Sequence, residues 1–167
     1  MQRTLEYIVF FVTVVLLQAL LFDNLLFSGL VVPLFYVVFI LLLPVKIGRL
    51  WLLLLGVLLG VVVDVSMGTA GLNTIATTAV AFLRPFVMNI TMGKDVTHES
   101  IPFGGAIDDG SFVLYATILI AAHHLLFFGF ESLGSHFFFT VGRIVVSTVV
   151  TLLLSFFTAR MFRRIVG

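Results

Sequence analysis

Few side chains in this sequence could do chemistry, and they stand alone in apolar surroundings. Asp64 belongs to a four-residue series, Gly56, Gly60, Asp64 and Gly68. Residues four apart share a helix face, and glycines strip that face so that another backbone can approach closely. Asp64 therefore reads either as an interfacial carboxylate closing a helix or, more sharply, as a buried anion that fixes its helix against a neighbour. Arg84 follows Thr77 and Ala81 on one face and immediately precedes Pro85, whose missing N–H can kink a helix. At 1.5 Å per residue it lies about 20 Å from Gly71, too far to pair with Asp64. It is expected to snorkel to the interface. Arg143 heads a row of small hydroxyls, Ser147, Thr151, Ser155 and Thr158, which reads as a helix-packing face. Its planar fork suits a carboxylate, either Asp64 or Glu131. An ionised group inside a bilayer costs at least about 2.5–3.5 kcal/mol, so each of these is a functional candidate.

Catalysis finds little support. His123 and His124 are adjacent and point about 100° apart on a helix, so they cannot chelate one metal as an i,i+4 pair would. They are expected to be neutral and hydrogen-bonded within the bundle, and His136 falls in a later turn. There is no serine in a nucleophile motif and no carboxylate pair at usable spacing outside one loop, and the Gly104-Gly105 pair is too little for a phosphate cradle. The reading is a protein without enzymatic activity, metal or cofactor.

The elements that must hold these residues are membrane helices. Of 167 residues, 61% are hydrophobic and 10% charged, against roughly 45–50% and about 25% in soluble domains. Mean hydropathy is +1.27. So little charge cannot cover a soluble surface, and so much apolar content excludes disorder. A net charge of +1 gives no electrostatic case for nucleic acid. The absence of cysteine excludes disulfides and thiol chemistry. At about 20 residues per crossing, the apolar runs divide into six expected spans: Leu5–Phe22, Leu25–Leu43, Leu50–Val65, Gly71–Met92, Ser111–Phe130 and Phe137–Ala159. Residues 1–167 thus form one all-α, polytopic integral membrane domain in contact with lipid. The first span is expected to be a retained anchor. The third is short, so a five-span count competes. Seven of the nine basic residues (Arg3, Lys46, Arg49, Lys94, Arg160, Arg163, Arg164) fall on one side of this topology. None falls in the opposite connections, so both termini are expected in the cytoplasm. The loop Gly93–Gly110 reads as a solvated connection or as a contact for a cytoplasmic partner.

The joint pattern also carries a family likeness. The stretch Gly56-x-x-x-Gly60-x-x-x-Asp64, then Gly68-Thr69-Ala70-Gly71-Leu72-Asn73-Thr74 and Phe82-Leu83-Arg84-Pro85-Phe86, resembles the rod shape-determining protein MreD family. The later run from His123-His124-Leu125 to Glu131, with His136-Phe137-Phe138 and Arg143–Thr148, is similar to Bacteroidetes-type members. That resemblance implies a non-catalytic component of the bacterial inner membrane that supports cell-wall elongation and cell shape. Its partners would be MreC and, more widely, the glycosyltransferase RodA, the transpeptidase PBP2 and MreB filaments. The family has no established catalytic residues to carry over. It further implies a fold similar to the S component of energy-coupling-factor transporters, so a vitamin-binding transporter subunit is the alternative. Against that alternative, the first helix has only Ala19 where such subunits carry an Ala-x-x-x-Ala docking pattern.

Overall fold

The computed structural model describes residues 2–22, 31–93, 108–132 and 137–166. Every regular element among them is helical. Helix α1 (Gln2–Leu17) continues into a wider π turn, Gln18–Phe22. A 3-10 turn, Phe35–Val37, leads into the short α2 (Val38–Leu42). Four long helices follow: α3 (Arg49–Met67), α4 (Leu72–Met92), α5 (Asp109–Ser132) and α6 (Phe137–Val166). Five helical stretches are long and apolar enough to cross a membrane: Thr4–Phe22, Arg49–Met67, Leu72–Met92, Asp109–Ser132 and Phe137–Phe162.

The distribution of side chains is consistent with a bundle that faces lipid. Phe138 is 89% exposed and Ile90 81%, whereas Asn73, His123 and Gln18 are wholly buried. Apolar groups cost nothing against hydrocarbon. Polar groups must instead find partners inside the bundle.

The second apolar run departs from the helix expected over Leu25–Leu43. Its first residues lie outside the described ones. From 31 to 34 the backbone is not helical, and helix is confined to Phe35–Leu42. Prolines bracket this piece at both ends, Pro33 and Pro44. Leu43 is extended (φ −57°, ψ 151°), as a residue before proline must be. All ten side chains from Leu34 to Leu43 are buried. A helix apolar on every side belongs in a core, and α2 is the plug around which the longer helices stand.

The long helices pack in chain order, α3 on α4, α4 on α5 and α5 on α6. The α3–α4 corner turns on two glycines in the left-handed region, Gly68 (φ 67°) and Gly71 (φ 89°), where a side chain would be strained. Gly56 and Gly60 face α4. A Cβ at Gly60 would stand 2.9 Å from the Thr74 nitrogen and 3.0 Å from the Asn73 oxygen, and closer still to Thr74 Cα. At Gly56 it would meet Ala81 Cβ at 2.9 Å. The small-residue face is thus filled by α4 of the same chain.

Candidate functional site

Two charged side chains and a chain of neutral polar groups organise the interior. The first charge is Asp64, 6% exposed near the end of α3. Its Oδ1 accepts the Asn73 backbone N–H and side-chain Nδ2, both at 3.0 Å, and the Thr69 hydroxyl. Its Oδ2 accepts the Thr74 N–H at 2.9 Å and the Thr74 hydroxyl. Asn73 and Thr74 lie in the first turn of α4, where backbone N–H groups have no partner within the helix. Asp64 therefore caps α4 from a different helix, and the positive end of the α4 dipole offsets its charge. Arg143 does not take part. It pairs with Glu131 at 2.7 Å and lies 4.5 Å over the Phe128 ring. Of the two carboxylates open to Arg143 on sequence, the structure selects Glu131 because both sit at the α5–α6 turn.

The second charge is Arg84. The expected snorkelling to the interface does not occur: Arg84 is 1% exposed. Its Nε donates to the Tyr115 hydroxyl at 2.9 Å, one terminal nitrogen to the Pro44 carbonyl at 3.5 Å, and the other to the Leu43 carbonyl. Tyr115 in turn donates to the Leu41 carbonyl at 3.1 Å, and Tyr7 to that of Leu42 at 3.4 Å. Four successive carbonyls, Leu41 to Pro44, are thus taken by side chains from α1, α4 and α5. The physical reason is local. Helix α2 stops in the core at a proline, and its last carbonyls have no backbone donors. Unpaired carbonyls in an apolar interior cost about 1–3 kcal/mol each. A guanidinium, with five donors and a weak hydration shell, answers several at once. The ion pairs among the described residues, Arg143–Glu131 and Arg160–Asp109, do not include Arg84. Its charge rests on the negative end of α2.

A neutral network runs from the Asp64 corner into the core. The Asn73 amide faces Asp64 with its nitrogen, so its Oδ1 is the acceptor for the Tyr36 hydroxyl at 2.7 Å. Tyr36 has one proton, now committed. Its 2.9 Å contact to His123 Nε2 therefore requires that nitrogen to donate. His124 carries its proton on the other nitrogen, because Nδ1 lies 2.9 Å from the Ile120 carbonyl, which can only accept. The two adjacent histidines are opposite tautomers. His123 meets Thr77 on α4 at 3.4 Å, whereas His124 meets Thr148 on α6 at 3.4 Å, so the rings serve different helix interfaces. No group of three or more metal-ligating side chains occurs among the described residues. Gln18 adds a further link, donating to the Pro33 carbonyl and accepting the Tyr36 N–H, each at 3.3 Å. The π turn at Gln18 aims its amide inward.

The residues singled out on sequence thus separate into three places. Gly56, Gly60, Asp64 and Gly68 form the α3–α4 corner. Arg84 stands towards the other end of α4. Ser147 and Thr151 lie buried on α6, where the Ser147 hydroxyl accepts the Val32 N–H at 3.1 Å. The Thr151 and Ser155 hydroxyls have no partner among the described residues. His136 and most of the loop Gly93–Gly110 lie outside the described residues. Sequence reasoning missed the tyrosines. All three in the chain, Tyr7, Tyr36 and Tyr115, converge on α2 or the turn that opens it. The available signal was a hydroxyl in the middle of an apolar run, which a dry core tolerates only when it is bonded.

No family model, curated protein or solved structure matches the chain.

Proposed function

We propose that this protein is a non-catalytic, multi-pass component of the bacterial inner membrane, a Bacteroidetes-type relative of the MreD family. In this reading it supports peptidoglycan synthesis and cell shape in the rod complex. MreC is its direct partner, and RodA, PBP2 and MreB form the wider assembly. Both termini face the cytoplasm, and the Leu25–Leu43 run counts as the sixth crossing. The observation that carries the proposal is the use made of buried charge. Asp64 and Arg84 are each spent on a helix terminus inside the bundle, leaving neither to a substrate. That is how a structural part uses charge, and it accords with a family that lacks catalytic residues. The vitamin-carrier alternative needs several convergent polar groups open to a ligand, whereas Asn73 Oδ1, the Tyr36 hydroxyl and His123 Nε2 are taken up with one another.

The test is depletion of the protein in its native host, together with a pull-down from native membranes. Rounded or swollen cells and recovery of MreC are the expected results. Normal cell shape with impaired vitamin uptake would overturn the proposal in favour of the transporter subunit. Reporter fusions at Met1 and Gly167 check the topology, and an external signal at either end contradicts it.

A further inference from the structure

A shallow cavity of about 70 Å³ opens on the outer surface between α3 and α4. Leu52, Leu53, Ala81, Phe82, Pro85 and Phe86 line it, and Arg49 stands at its mouth. The walls follow from the sequence. Arg49, Leu52 and Leu53 are spaced i, i+3, i+4 on α3, and Ala81, Phe82, Pro85 and Phe86 make the matching stripe on α4. Ala81 is small, and the two phenylalanine rings, 5.7 Å apart, form a raised edge. From Ala81 to Phe86 the trough runs about 7.5 Å along the helix.

Its cation differs from Arg143 and Arg160, which are both ion-paired. The Arg49 guanidinium lies 5.8 Å over the Phe86 ring and meets no carboxylate among the described residues. Lys46 is exposed on the turn just before α3, equally without an ion pair there. Arg160, by contrast, is paired with Asp109. Arg49 in the wall of the trough and Lys46 three residues before it are therefore two cations without an ion pair among the described residues, where α3 enters its apolar, membrane-length stretch.

We propose that this trough binds an anionic phospholipid, with the head-group phosphate on Arg49 and Lys46 and the upper part of one acyl chain between Phe82, Pro85 and Leu53. Charge complementarity selects this occupant. A zwitterionic lipid brings its own cation to the same place, and a partner helix would have to supply a carboxylate at this depth. Each basic side chain near an anionic head group favours it by about 1 kcal/mol. The inference is independent of the proposed role in cell-wall elongation.

The chain's single tryptophan, Trp51, makes the test direct. It is 66% exposed and, two residues from Arg49, faces away from the trough. The full chain is reconstituted in phosphatidylcholine vesicles containing brominated phosphatidylglycerol or brominated phosphatidylcholine. Quenching is read from Trp51 in the native chain and from the introduced ring of Phe82→Trp in a Trp51→Phe background. At the trough, phosphatidylglycerol should be preferred by about thirtyfold, the ratio that two such contacts give. At Trp51 the preference should be near unity. Lys46→Gln with Arg49→Gln should abolish the trough preference while far-UV circular dichroism stays unchanged. Equal quenching by both lipids at the trough, or a preference that survives loss of both cations, would overturn the proposal.

Discussion

Helix α4 is held by two clasps of opposite charge, and they work by different routes. At its start, the Asp64 carboxylate of α3 takes the free N–H groups of Asn73 and Thr74. Further along, its own Arg84 reaches the free carbonyls of Leu43 and Pro44 beyond α2. In both, a full charge is met by the partial charge of a helix end rather than by a counter-ion. The difference is reach. Asp64 spans nine or ten residues and closes one corner. Arg84 spans about forty and, with Tyr115 and Tyr7, ties the buried plug α2 to three other helices. A membrane bundle cannot use the hydrophobic effect to hold helices together in lipid. It relies on close packing and on the cost of leaving polar backbone groups unmet.

The contrast can be broken at several points. The largest effect is expected from Gly60→Leu, because the new side chain meets the α4 backbone, which cannot move aside without opening both clasps. Overpacking of this kind should cost about 3 kcal/mol in detergent denaturation. Leu58→Ala, at a position 51% exposed, should cost under about 0.5 kcal/mol. Arg84→Met should come next, at about 2.5 kcal/mol, since the Leu43 and Pro44 carbonyls lose their donors. Arg84→Lys should restore less than half of this, because an ammonium has no fork to reach Tyr115 and both carbonyls together. If the lysine variant is as stable as the native chain, charge alone matters and the clasp geometry does not.

Asp64→Asn should cost about 2 kcal/mol, because an amide turns an N–H towards donors on one side. Amide exchange should quicken at Asn73 and Thr74 before it does at α2, which would separate the corner from the plug. Combined with Arg143→Gln, the loss should be additive to within about 0.5 kcal/mol, as for sites without a shared partner. Rescue in the double variant would mean that Asp64 and Arg143 interact. The smallest effect concerns Asp108, which caps α5. It accepts the Ser111 hydroxyl at 2.6 Å and the Ser111 N–H at 2.9 Å, and these bonds lower its carboxyl below the usual 3.8. A depressed carboxylate contributes stability above its unfolded value and loses it as pH falls through the folded one. The Ser111 amide should therefore lose protection, measured against its intrinsic exchange rate, only as pH falls through the folded value.

Asp108, passed over on sequence, and Asp64 show what local rules can reach and where they stop. Both cap helix starts. The Asp108-x-x-Ser111 pattern spans the start of its helix, so the cap lies within the reach of local rules. Asp64 caps a helix that begins eight residues later, from another helix. Its glycine spacing announced a close neighbour without saying that the carboxylate would meet backbone N–H groups. The histidines behaved similarly. Their adjacency excluded chelation, but which nitrogen each protonates depends on Tyr36 and the Ile120 carbonyl.

By itself the sequence determined the all-helical class with helices long and apolar enough to cross a membrane, the extents of α1 and α3 to α5 to within a few residues, the start of α6, which runs seven residues beyond the expected Ala159, and the tight α3–α4 corner. Those follow from the length of apolar runs and from glycine and proline, which act within a few residues of themselves. Only the tertiary structure decided that Leu34–Leu43 is a buried plug rather than another uninterrupted helix, that Arg84 is buried, and that Arg143 pairs with Glu131. An arginine that bonds to carboxylates can be sought by residue type. One that bonds to carbonyls cannot, because every residue carries a carbonyl and only the fold shows which are left without a donor.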